Sequence, residues 1–120
     1  MLRRTGEMAR AEETLLQALA IVREYADQFT EGFILNNLGE LFRATDPVRS
    51  RHYFNEAIHR LSGSDLPTLT ADALIGLGDT EESTGSTDAA QAAWRRAMTM
   101  IDKTDATRTS MIRQRLERHQ

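Results

Sequence analysis

Leu74-Ile75-Gly76-Leu77-Gly78-Asp79-Thr80-Glu81 decides the fold, because an earlier stretch carries the same pattern. Leu35-Asn36-Asn37-Leu38-Gly39 aligns with Leu74-Ile75-Gly76-Leu77-Gly78, and Phe42 and Glu81 each follow three residues after the aligned glycine. Downstream, Ala90, Trp94 and Ala97 are spaced by four and then three, which places them on one face of a helix. Ser50, Phe54 and Ala57 repeat that spacing, as do Ala11, Leu15 and Ala18. Ala18, Ala57 and Ala97 recur at intervals of 39 and 40 residues. Repetition on this scale, built from helix-period segments, predicts stacked helical hairpins, because one hairpin cannot bury its apolar face alone.

Working outward, turn and cap residues divide the chain into about six helices. The first runs from about Gly6 to Tyr25, with Ala11, Leu15, Ala18, Leu19 and Val22 at helical spacing. Asp27 can cap a second, which carries Phe29, Phe33, Leu35, Leu38 and Phe42 to about Ala44. Asp46-Pro47 opens a third: the carboxylate can accept a backbone N–H, and proline suits a first turn where its missing N–H costs nothing. That helix runs to about Leu61, with Gly63 just beyond. Asp65-Leu66-Pro67 opens a fourth, running to about Ser83, with Gly85 as its breaker. Ser86 or Thr87 can cap a fifth, from about Asp88 to Ile101, and Asp105 a last one, from Ala106 to Arg118. The connections are short, so sequential helices should pack as antiparallel neighbours.

Composition agrees with an all-α domain. Only two prolines occur among 120 residues, and β-branched residues do not alternate as a sheet requires. Cysteine is absent, which removes disulfides and thiolate chemistry and fits a reducing compartment, so the expected location is the cytoplasm. The formal charge of −3 gives no overall attraction for nucleic acid or an anionic membrane, and no stretch has the roughly 20 apolar residues needed to cross a bilayer.

These residues resemble the tetratricopeptide repeat, whose pattern is W-x2-L-G-x2-Y, then A-x3-F, then A. Leu35 and Leu74 stand at the tryptophan position, Glu81 where an aromatic is usual and Ser50 where alanine is usual. The interval exceeds the family's usual period of about 34 and is similar to the extended repeats of bacterial signalling regulators and kinesin light chains. The resemblance covers roughly residues 6–101. It implies a short right-handed solenoid: residues 28–61 and 66–101 form two hairpins, 6–25 the second half of another, and 105–118 a basic capping helix, all within a single domain of residues 1–120. The absent first half implies a piece of a longer array, or an N-terminal face that something else covers, such as a second copy.

Candidate chemistry is sparse. His52, Glu56 and His59 share a helix face but lack a matching ligand cluster, and read as solvated surface rather than a zinc site. Gly76 and Gly78 lie within a helical pattern without the lysine of a phosphate loop. Glu12-Glu13 and Asp79, Glu81, Glu82 are acidic clusters of the kind repeat helices expose. No Ser/His/Asp arrangement stands out, so an enzyme is not expected, nor a cofactor or metal. The arginines of the last helix fit a soluble cap better than a nucleic-acid site; contact with nucleic acid would come through other domains of a parent protein.

In the family, the first helix of each pair lines a concave groove. The resemblance therefore places Phe33, Asn36, Asn37, Glu40 and Arg43 there, with Asp72, Ile75, Asp79 and Glu82 as counterparts. Asn36 and Asn37 either hydrogen-bond an extended peptide, as similar asparagines do in the family, or one of them ties down a neighbouring turn. Asp72 and Gly76 stand where carboxylate-gripping members have basic groups, while Glu40, Asp79 and Glu82 form an acidic rim suited to a basic ligand. The expected function is protein–protein interaction, as part of a larger bacterial regulator such as a transcription regulator. Self-association through the N-terminal face and small-molecule sensing in a pocket lined by Phe33 and Ile75 are the alternatives.

Overall fold

The computed structural model describes the backbone from Leu2 to His119 and the side-chain environments of residues 6–119. The described residues form six helices and no strand: α1 (Leu2–Glu24), α2 (Gln28–Phe42), α3 (Pro47–Leu61), α4 (Pro67–Ser83), α5 (Thr87–Met100) and α6 (Ala106–Glu117). Three boundaries are set by aspartate caps. Asp27, Asp46 and Asp105 accept the backbone N–H of Thr30, Arg49 and Arg108 at 3.2, 3.1 and 3.2 Å. Leu66 and Ser86 hold the cap positions of α4 and α5 without a side-chain bond, although Pro67 still begins α4 with a suitable φ. Gly6 does not start α1, which begins four residues earlier. A single glycine inside a helix weakens it without breaking it.

The helix directions follow from paired contacts. Gly32 faces Leu61 while Gly39, seven residues on, faces Phe54, seven residues back, so α2 and α3 are antiparallel. Ser50 meets Thr80 and Phe54 meets Gly76, so α3 and α4 are antiparallel as well. The even-numbered helices α2 and α4 touch side by side; α3 backs both, and α5 packs on α4 and α6. α1 packs on α2 and reaches α3 through Glu12, which accepts the Tyr53 hydroxyl at 2.7 Å. That bond and burial push the Tyr53 phenol up to about 12, with burial the larger cause.

Phe54 fixes the spacing of the stack. Its ring is fully buried between Gly39 of α2 and Gly76 of α4. A Cβ at Gly39 would lie 2.7 Å from the ring, and one at Gly76 would lie 2.4 Å from it. Trp94 of α5, also fully buried, fills the same kind of space at Gly78. Ala57, Ala90 and Ala97 are fully buried too, where larger side chains would force the helices apart. Ser50 donates its hydroxyl to the Gly39 carbonyl at 2.7 Å and lies 3.1 Å from the Thr80 hydroxyl. The buried polar group is thereby satisfied.

Gly76→Ala should destabilise the chain by roughly 1–3 kcal/mol, because the methyl group meets an immobile ring. Gly6→Ala, with nothing within 4 Å of the added carbon, should stabilise it by about 0.5–1 kcal/mol through helix propensity. Urea denaturation of the two variants against the parent checks both signs.

Candidate functional site

On α2, residues 29, 33, 36 and 40 recur at helical spacing and point away from the buried side that carries Leu35, Leu38 and Phe42. Phe29 and Phe33 stack with ring centroids 6.4 Å apart and an interplanar angle of 11°. Both are about half exposed, at 54% and 49%, unlike the other two phenylalanines, which are buried. Together with Leu66 and Pro67 at the start of α4, Asp72 of α4 and Arg108 of α6, they line a cleft of about 380 Å³. The cleft offers aromatic surface beside a charged pair, an arrangement suited to holding a largely apolar ligand group and orienting it.

The other expected groove residues separate into distinct environments. Asn36 and Asn37 are half-buried, and Asn36 Oδ1 is a buried acceptor with no hydrogen-bond donor. Glu40 is exposed and lies 3.6 Å from Arg43. Ile75 is buried in the core, 5% exposed, so Phe33 lines the cleft and Ile75 does not. The helical pattern alone did not separate them, because α4 packs against α2, α3 and α5 and is buried on more than one face.

The acidic residues have partners inside the chain. Arg108 donates to both carboxylate oxygens of Asp72, at 2.7 and 2.9 Å. Arg115 does the same to Asp79, at 2.6 and 3.0 Å, and Arg118 binds Glu82 at 2.9 Å. The partners in each pair lie 36 residues apart, so α4 and α6 run parallel in one register. Asp79 also accepts Arg43 Nη1 at 3.1 Å and Trp94 Nε1 at 3.2 Å, so each of its oxygens takes two donors. An acidic rim open to a basic ligand is therefore replaced by a rim that α6 neutralises. The signal was present in the sequence: 72, 79, 82 and 108, 115, 118 have identical internal spacing and opposite charge.

These contacts move the titrating groups in consistent directions. The bonds to Asp72 raise the Arg108 pKa, and those to Asp79 raise that of Arg115. Burial alone would lift the Glu82 carboxyl, but the bonds from His119 and Arg118 together outweigh it and hold the carboxyl below its ordinary range. A depressed carboxyl stabilises the fold above its unfolded pKa, and that contribution is lost as the pH falls through the folded value.

Elsewhere, Arg23 and Arg60 reach the buried Glu31 at 3.1 and 3.2 Å, beside a polar cleft of about 530 Å³. Arg51 pairs with Glu81. His52 lies 3.5 Å from Glu56, which also takes Arg23 at 2.7 Å. Among the described residues no group of three His, Cys, Asp or Glu is arranged to hold a metal ion. No described helix is long and apolar enough to cross a membrane.

No protein-family model matches the chain, and no solved structure matches it. Among curated proteins it is similar to the regulatory protein AfsR of Streptomyces griseus, 28% identical over 114 residues. The aligned segment covers 94% of this chain and 12% of that protein.

Asp79→Ala should cost roughly 2–4 kcal/mol, since it removes the acceptor for Arg43, Arg115 and Trp94 together. The sole tryptophan reports the change: its emission should shift to shorter wavelength as the buried indole loses its hydrogen-bond acceptor. Unaltered emission and stability would mean that the carboxylate contributes nothing net.

Proposed function

We propose that this chain is a protein-interaction module of the tetratricopeptide kind, part of a larger bacterial regulatory protein. The observation that carries the reading is the stacked, half-exposed Phe29–Phe33 pair, set in a cleft between the even-numbered helices. Water-exposed aromatic pairs are unfavourable unless something covers them, and aromatic residues are enriched where proteins meet. Asn36 lies on the same face of α2, with its Oδ1 buried and without a donor. The antiparallel hairpins, their glycine-to-aromatic packing and the parallel register of α4 with α6 support the repeat assignment. The similarity to a Streptomyces regulatory protein supports the regulator context, and the small share of that protein covered fits one segment among others.

The paired state of Asp72, Asp79 and Glu82 changes the ligand expected in the cleft. With the carboxylates neutralised, the Phe29–Phe33 surface favours an apolar or aromatic anchor over a basic peptide. Self-association through α1 and the turn after it is the second reading, favoured by Ile21 and Tyr25, which are 58% and 77% exposed. Light scattering across a concentration series separates it from the first, since a strict monomer removes it.

Peptides selected from a displayed random library on the parent chain should lose at least about tenfold in affinity when Phe29 and Phe33 are both changed to Ala. The double variant should keep the parent's helix content with a modest loss of stability, because both rings are about half exposed. Selected peptides that bind parent and variant equally would place the interaction surface elsewhere.

A further inference from the structure

α6 is held differently from the other helices. Ile112 is its one buried residue, and Met111 and Leu116 pack only partly against the core. The backbones of α4 and α6 stay apart along nearly all of their seam, whereas α2 and α4 touch directly. Arginine side chains span the gap instead, at Asp72, Asp79 and Glu82. Two of the three pairs are close to one-third exposed or more on at least one partner, so salt screens them far more than it screens an apolar core.

We propose that α6 is a releasable strap, occupying from within the chain a face of α4 that also takes an arginine-bearing helix from a partner. The chemistry of that partner follows from what release would leave behind. Asp72 would lose Arg108 and Glu82 would lose Arg118, and Asp79 would keep only Arg43 and Trp94. Trp94 would also lose the His119 ring stacked 5.9 Å away and the Arg118 guanidinium 5.7 Å from its centroid. Three carboxylates at one, eight and eleven along a helix face, beside an open indole, match guanidinium groups at the same spacing, since arginine both forks onto carboxylates and stacks on aromatic rings. This site lies across the α4–α6 seam and shares Asp72 and Arg108 with the Phe29–Phe33 cleft, but its test reads α6 and Trp94 rather than the two phenylalanines.

A helix tethered by a short loop competes at millimolar effective concentration, so an incoming helix gains access when the strap is weakened. The test therefore uses the full chain carrying Arg108→Glu and Arg115→Glu, with a synthetic peptide of residues 105–119 as the probe. Amide exchange in α6 should quicken by at least about 100-fold while α2, α3 and α4 keep the parent's protection. The peptide should bind in trans, return Trp94 emission to the parent's wavelength, and lose at least about tenfold in affinity between about 50 and about 500 mM NaCl. Equal binding by a peptide with Glu at 108, 115 and 118 would overturn the arginine requirement. Should the variant fail to fold, the parent chain decides: α6 exchange should quicken selectively with salt, and α6 protection equal to that of α2–α4 at every salt concentration would overturn the strap. The charge-swapped chain Asp72→Arg with Arg108→Asp should recover the parent's α6 protection relative to Arg108→Asp alone.

Discussion

Phe54 seated between two glycines is the contact on which the rest of the stack depends. Its ring touches α2 at Gly39 and α4 at Gly76, so one side chain from α3 sets the distance between two helices of the other layer. Close-packed interiors tolerate neither a void nor an added methyl at such a point. The spacing it sets brings α2 and α4 into direct contact, and that contact places the Phe29–Phe33 pair beside Pro67 and Asp72. The cleft is a consequence of helix spacing as much as of the residues that line it.

The two sides of α4 are governed by different physics. Toward α3 it presents glycine and small residues to an aromatic ring, and dispersion and burial hold the contact. Toward α6 it presents carboxylates to arginines across a partly solvated seam. The first kind of contact is insensitive to salt and intolerant of substitution. The second is screened by salt and sensitive to charge. One helix thus divides a close-packed part of the molecule from a part held by charge.

Asp79 joins the two. It lies on the α6 side yet accepts the indole N–H of Trp94, whose ring fills the space at Gly78. Loss of Arg115 would be felt by the buried tryptophan through the shared carboxylate. Arg43 reaches the same carboxylate from α2, so all three even-numbered helices meet at one residue.

Local chemistry made the helices legible from sequence. Aspartates at 27, 46 and 105 mark helix starts because a short carboxylate can take a free backbone N–H, and those three caps stand where expected. The glycine-to-aromatic pattern was legible for a similar reason: where two helices approach closely, a large ring such as Phe54 or Trp94 fits only opposite a small residue. Phe33 was legible as a surface residue, but its partner Phe29 and the burial of Ile75 were not. Helical periodicity gives a residue's direction around its own axis, while the neighbour it meets depends on how far apart the helices sit. The tertiary structure alone decided the state of Asp72, Asp79 and Glu82. Sequence supplied three acids and three arginines at matching intervals, and only the parallel placement of α6 against α4 converts those intervals into neutralising pairs.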